Sequence, residues 1–224
     1  MATPLRLEAP VRVRFDECAA DGCVRASALL RYAQDMAWAH SQAAGFDRAW
    51  YTDRDLTWLV RCLTLELSGT VGSGATLGVS TEVTGWRRVW ARRRSEIVGP
   101  DRAPLAAITT DWVLLGPHGP MRVPPIIQAA FPAPLPTFAP GRVPLPATPP
   151  DARLATITVR RHELDPLGHA NHAVYADWLE DAIADAGGSA TLTAVPRTVR
   201  LEFLKSATVG AVLTSATWPT TAGG

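Results

Sequence analysis

The chain has 224 residues (24.0 kDa) and a formal charge of +1, from 22 basic and 21 acidic residues. A hydrophobic content of 47% against 19% charged residues excludes a globally disordered chain, and the balanced charge speaks against a nucleic-acid binder. Cys18, Cys23 and Cys62 show no CxxC or finger spacing, which excludes a disulfide framework or structural zinc site and fits a reducing cytoplasm.

The first residues lack a basic start followed by an apolar core, so no signal peptide is read. Val11-Arg-Val-Arg-Phe15 alternates apolar and charged residues and predicts a strand. A turn at Gly22 follows. Leu29, Leu30, Ala33, Met36, Ala37 and His40 then recur at helical spacing, predicting a helix over 27–44 capped by Ser27 and stopped at Gly45. Residues 57–67, 76–84, 88–97 and 105–115 read as antiparallel strands separated by Gly or Pro turns. One long apolar helix inserted after the first strand predicts a curled sheet wrapping that helix.

Twelve of the 19 prolines fall between Pro117 and Pro150. That composition predicts an extended connector, dividing the chain into domains 1–116 and 151–224 with a linker over 117–150. The uncharged stretch 123–141 holds six of these prolines, so no membrane span is expected. Beyond the linker the pattern repeats: an alternating strand over 155–159, a turn at Gly168, and a helix over 173–186 ended by Gly187-Gly188. Superposing Gly22 on Gly168 sets Leu30-Arg-Tyr32 opposite Ala176-Asp-Trp178, which reads as two copies of one unit. Two further strand-like runs, 197–207 and 211–218, follow where the first copy has four. The second copy therefore reads as shortened at its C-terminal end.

The densest polar segment is His162-Glu-Leu-Asp165-Pro-Leu-Gly168-His169-Ala-Asn171-His172. It lies between strand and helix, so it gathers at a helix N-terminus, where unpaired N–H groups favour a developing oxyanion. Asp165 could activate a water or attack directly, and His169, of a residue type that titrates near neutrality, could relay a proton. Asp165-Pro-Leu-Gly168 reads equally well as an ordinary turn with Asp165 bonding its own backbone, and Asn171 or His172 as a helix cap. The histidines match no metal signature, so no metal is expected. His40 and His118 read as structural or exposed. Trp86-Arg-Arg88 and Arg92-Arg-Arg94 form a basic, aromatic run, either a solvated face or sheet edge or a dock for acidic or phosphate groups. Cys18 and Cys23 lie in the turn of the first copy, where no activating partner is read, and they read as structural.

Several of these stretches resemble one family. They are the first turn and helix (Cys18-Ala-Ala-Asp21 to Ser27, Leu30-Arg-Tyr-Ala-Gln34, His40, Gly45), the strands around Trp58-Leu-Val-Arg61, Glu66 and Gly85-Trp-Arg-Arg-Val-Trp90, and Asp165-Pro-Leu-Gly-His169-Ala-Asn171 to Trp178. The sequence is similar to the acyl-acyl-carrier-protein (acyl-ACP) thioesterases of plants and bacteria, and its second half to the wider hot-dog thioesterases, including those acting on coenzyme A esters. The resemblance implies an α+β, tandem (double) hot-dog fold, with antiparallel sheets each wrapping a long helix. It implies hydrolysis of fatty acyl-ACP to free acid and carrier protein, with the acyl chain beside the long helix of one hot dog. Asp165 and His169 fall on catalytic positions, with backbone N–H groups at Gly168 and Asn171 for the oxyanion and Glu180 or Asp181 as auxiliary acids. No cofactor is implied. Acyl carrier protein is the implied partner, and a homodimer is one arrangement that fits. The chain departs from the plant pattern at Leu167, where those enzymes carry asparagine, and at Ser206 and Ala207, where they carry an acidic residue and a cysteine. Rival readings are an acyl-CoA thioesterase, a non-catalytic acyl-binding hot dog, and a hydratase or dehydratase on the same fold.

Overall fold

A computed structural model of the chain describes residues 5–131 and 138–220. Pro132, Pro134 and Pro136 of the proline-rich stretch lie outside the described residues. In chain order the elements are β1 (Arg6–Arg12), α1 (Ala26–Ala43), α2 (Arg48–Thr52), β2 (Thr57–Leu67), β3 (Thr76–Arg87), β4 (Trp90–Val98), β5 (Pro104–Gly116), β6 (Gly119–Pro120), α3 (Pro125–Ala130), β7 (Arg153–Thr158), α4 (Val174–Asp185), α5 (Ser189–Thr193), β8 (Arg197–Glu202) and β9 (Val212–Thr217). The chain divides into one compact unit of residues 1–143 with 195–203 and another of 144–194 with 204–224.

In the first unit an antiparallel sheet of order β1-β3-β4-β5-β2-β8, with β6 beside β5, wraps α1. The helical stripe read from the sequence is the buried face: Leu29, Leu30, Met36 and His40 are all almost fully enclosed. Enclosing each Leu or Met side chain stabilises by about 1.5–3 kcal/mol, so this face holds the helix to the sheet. The helix starts one residue earlier than expected, and Ser27 does not cap it. Ser27 is buried within the first turn, and its Oγ accepts a bond from Arg31 Nη1 at 3.0 Å.

The proline-rich stretch is not wholly a connector. Pro124 and Pro125 begin α3, where a missing N–H costs nothing, and α3 places Ile127 and Phe131 in a core with Phe46, Tyr51, Leu56 and Leu114. Further along, Gly141 N–H donates to Asp111 Oδ2 (2.6 Å) and Val143 N–H to Glu202 Oε2 (2.9 Å). A Cβ at Gly141 would stand 2.8 Å from Cys62 Sγ, so any larger residue there would force the buried Cys62 side chain to shift. Asp111 is also gripped by Arg92 through two bonds of 2.7 and 2.8 Å. Since β4 lies between β3 and β5, the run Arg92-Arg-Arg94 is no sheet edge. Arg92 holds Asp111, Arg94 pairs with Glu96, and Arg93 turns inward.

The run 197–207, read as a strand of the second copy, ends at Glu202 and pairs with β2, from Cys62↔Glu202 to Leu67↔Arg197. It thereby satisfies the backbone groups that β2 presents on the side away from β5.

In the second unit β7 and β9 pair antiparallel, and Val159, Ala170 and Ala207 form a small core with Leu164, Tyr175 and Trp178. The repeat is visible bond by bond. Arg25 N–H reaches Glu17 O at 3.0 Å in the first copy, and Asn171 N–H reaches Glu163 O at 2.9 Å in the second. Bridges Cys18↔Val24 and Leu164↔Ala170 correspond, and Gly22 (φ 81) corresponds to Gly168 (φ 79). Such φ values favour glycine, which is why the turn glycines align across the copies.

Candidate active site

The turn before α4 is built by backbone bonds. After β7, Val159 N–H donates to Ala211 O (3.0 Å), and a single 3-10 turn, Arg161–Glu163, redirects the chain. The Leu164↔Ala170 bridge closes the loop, and Ala170 N–H donates to Ala207 O at 2.8 Å. Position 207, where the resemblance places a cysteine, is thus a buried residue beneath the turn, and Ser206 beside it is exposed.

Inside the loop, Asp165 N–H donates to His169 O (2.8 Å) and Gly168 N–H to Asp165 O (2.9 Å). The half-buried Asp165 carboxylate accepts the Leu167 N–H on Oδ1 at 2.8 Å and the His169 N–H at 3.4 Å. Asp165 therefore does bond its own turn, using one oxygen. The other, Oδ2, has no hydrogen-bond partner among the described residues. The Leu167 side chain is exposed and adds no polar group. His169 is half-buried, and its Nδ1 is enclosed without a hydrogen-bond partner. No hydrogen bond joins the carboxylate to the imidazole among the described residues, so backbone alone places them at one turn.

Asn171 forms a side-chain turn just before α4, its Oδ1 accepting the Ala173 N–H (2.9 Å) and its carbonyl the Val174 N–H (2.9 Å), whereas the cap position of the helix is held by Ala173 without a side-chain cap bond. The oxyanion role expected of Gly168 and Asn171 meets an obstacle here. Gly168 N–H is engaged by Asp165 O and Asn171 N–H by Glu163 O, so neither is free while the turn is closed. Glu180 is the seventh residue of α4, about 9 Å along the axis from its first residue at 1.5 Å per residue. Asp181 is exposed. Among the described residues no group of three or more His, Cys, Asp or Glu could hold a metal ion. No described helix is long and apolar enough to cross a membrane.

Sequence reasoning missed Glu163. Its Oε2 accepts the Arg160 N–H (2.5 Å), its Oε1 accepts the Trp178 Nε1–H (3.0 Å), and its carbonyl accepts the Asn171 N–H. It clasps the start of the turn to the body of α4. Glu17 does the same in the first copy, taking Arg14 N–H (2.8 Å) and the Tyr32 hydroxyl (2.5 Å). The signal was available: both glutamates sit five residues before the turn glycine, with Tyr32 and Trp178 aligned ten residues beyond it.

Two family models match the sequence: the acyl-ACP thioesterase N-terminal domain over residues 6–125 and its C-terminal domain over 148–222. No curated protein matches it. Among solved structures, a protein assigned as an oleoyl thioesterase from Lactobacillus plantarum is similar with a TM-score of 0.83 at 20% identity, over 93% of this chain and 82% of that one. An acyl-ACP thioesterase from Bacteroides thetaiotaomicron gives 0.77 at 18% identity, over 93% and 85%. The 12:0-ACP thioesterase from Umbellularia californica gives 0.78 at 18% identity, over 98% and 89%. At these identities the likeness shows a shared fold.

Proposed function

Because this chain belongs to the acyl-ACP thioesterase family and is a thioester hydrolase of fatty acyl-ACP on a tandem hot-dog fold, we propose that its chemistry runs through Asp165 and His169. The observation that carries this is the split use of the Asp165 carboxylate: Oδ1 is fixed by the turn and Oδ2 is unbonded. Oδ2 takes a proton from water as the water oxygen attacks the thioester carbonyl. The tetrahedral intermediate then expels the carrier-protein thiolate. The C–S bond breaks, and the proton held by Asp165 passes to sulfur directly or through His169. The products are a free fatty acid and the carrier-protein thiol, with no cofactor consumed.

The negative charge on the carbonyl oxygen faces the N-terminal end of the 12-residue α4, whose dipole favours an anion. Donors at Gly168 and Asn171 contribute only when the turn loosens around bound substrate. A positioned base contributes about 10²–10⁴-fold and one oxyanion donor about 10²–10³-fold, so a site lacking the plant-type polar residues at positions 167, 206 and 207 still turns over. Glu180 is at most an auxiliary acid.

We read the tandem as an N-terminal and a C-terminal hot dog, with support from the two matched spans, 6–125 and 148–222, the segment between them being only in part a linker because α3 packs into the first unit. The setting we propose is the cytoplasm, ending chain growth in fatty acid biosynthesis; the three free cysteines suit a reducing compartment. A homodimer fits α4, which buries only Val174 and Ala176 among its residues, and sedimentation would test it.

The deciding assay is thiol release from matched acyl-ACP and acyl-CoA substrates across chain lengths. Hydrolysis with higher kcat/KM on the carrier-protein form is the expected result. Equal or better turnover of the coenzyme A esters would move the substrate to acyl-CoA. Acyl binding without release of acid would remove the catalytic reading.

A further inference from the structure

The two copies of the turn differ in charge at matching positions. At the offset that sets Gly22 on Gly168, Arg14-Phe15-Asp16-Glu17 of the first copy answers Arg160-Arg161-His162-Glu163 of the second. Both segments fold alike, as a single 3-10 turn over Phe15–Glu17 and over Arg161–Glu163, and each ends on the glutamate that clasps its turn. In the first copy one arginine meets two carboxylates, and Arg14 is tied to Asp16 through bonds of 3.0 and 2.6 Å. In the second copy two arginines meet one carboxylate, and that one is engaged by the Arg160 N–H and the Trp178 Nε1–H. His162 offers no acid where Asp16 stands, and no carboxylate pairs with the Arg160 or Arg161 side chain among the described residues.

The added cations fall on the copy that carries the reactive groups. Ala19 and Cys23 occupy the positions that hold Asp165 and His169 in the second copy. Arg160 and Arg161 are both exposed. Lys205 is exposed too, with no carboxylate partner among the described residues, and lies two residues before Ala207, whose carbonyl accepts the Ala170 N–H beneath the turn. Unneutralised cations gathered at one turn repel one another, and a phosphate would offer each of them charge-assisted hydrogen bonds. Reach is compatible. Arg161 stands four residues before Asp165, so their Cα atoms are at most about 14 Å apart. A pantetheine arm extends roughly 16 Å from sulfur to phosphate at ordinary bond lengths. A thioester held at Asp165 therefore brings its phosphate within range of this guanidinium.

We propose that Arg160 and Arg161, with Lys205, form a recognition site for the phosphate of the arm that carries the acyl thioester. Carrier-protein and coenzyme A thioesters share this chemistry, since both hold the sulfur on a phosphorylated pantetheine. The inference rests on the thioesterase reading and adds to it the residues that hold the anionic end of the substrate.

The test uses the full chain and two substrates that differ only in the phosphate, S-dodecanoyl pantetheine and S-dodecanoyl 4′-phosphopantetheine. Wild type hydrolyses the phosphorylated form with about tenfold higher kcat/KM, an advantage that shrinks as salt rises. Arg161→Met reduces the advantage through KM with kcat held, and Arg160→Met combined with Arg161→Met abolishes it. Arg14→Met, the matching change in the first copy, leaves it intact. Arg161 is exposed and unpaired, so its single replacement reports the site even if the double variant folds poorly. Dodecanoyl-ACP and dodecanoyl-CoA both lose kcat/KM in the variants, because each carries the phosphate. Equal turnover of the two pantetheines by wild type, or an advantage that survives in Arg161→Met, overturns the site. A loss confined to dodecanoyl-ACP overturns it as well and moves these cations to contact with the carrier protein's own surface. Should no substrate be hydrolysed, calorimetry of 4′-phosphopantetheine against pantetheine separates the two readings. Preferential binding lost in Arg161→Met leaves the phosphate site standing while the thioesterase mechanism fails, and equal binding removes the site.

Discussion

Asp165→Asn and Asp165→Ala separate the chemistry of the carboxylate from its place in the turn. Asparagine keeps an oxygen where Oδ1 accepts the Leu167 N–H at 2.8 Å and the His169 N–H at 3.4 Å, and alanine has none. The shorter bond is worth about 0.5–1.5 kcal/mol, and the longer one adds little. Asp165→Ala should therefore lose about 1 kcal/mol of stability, roughly 2–4 °C in Tm for a chain of this size, and Asp165→Asn close to none. Activity should behave differently. Both variants lose the base, which costs about 10²–10⁴-fold in kcat, or roughly 2.7–5.5 kcal/mol of barrier. Thiol release at saturating acyl-ACP, paired with a thermal melt, reads both quantities. Retention of turnover within about tenfold by Asp165→Asn, with only Asp165→Ala melting early, would make Asp165 a turn residue and refute the assignment.

His169→Gln, which keeps a polar group of similar reach, should cut kcat at least about tenfold through loss of proton transfer, with the melt unchanged. Glu163→Ala and Glu17→Ala each remove two acceptor contacts to a partly exposed carboxylate, and each should cost about 1.5–3 kcal/mol. Only Glu163→Ala should also lower kcat, because only its clasp holds Asp165 and His169; equal kcat losses in the two would show a general loss of fold. Asp111→Asn breaks a carboxylate only 3% exposed from Arg92, which is 26% exposed. It should cost about 2–3 kcal/mol, discounted from the fully buried case for the exposure of Arg92, and a Tm change under about 2 °C would refute that pairing. Burial, with Asp111 and Glu202 adding repulsion, pushes the Cys62 thiol up from its ordinary pKa, so it holds its proton at mildly basic pH. Native alkylation at pH ~8 should label Cys18 and Cys23 before Cys62, and equal rates followed by mass spectrometry would contradict it.

The sequence by itself determined the periodic parts of this protein. The apolar stripe from Leu29 to His40 can bury one face only as a helix, and β2 through β5 followed from alternating β-branched and apolar runs, because local periodicity decides which side of an element meets the core. It also determined the repeat, since Gly22 and Gly168 answer the same left-handed turn, and it singled out the segment containing Asp165 and His169. Tertiary structure decided what depends on distant partners. Periodicity carries no information on which edge a strand joins, so β8 could not be assigned to β2 from its own residues. A count of prolines could not show that Phe131 enters the core and that Gly141 is held by Asp111. The two readings of Asp165, turn residue and base, were equal in sequence because both need the same residue at the same spacing. Folding shows that one oxygen serves the turn and the other is unbonded. It also closes the Gly168 and Asn171 N–H groups into backbone bonds, since whether a polar group is matched depends on partners that its own residue type does not name.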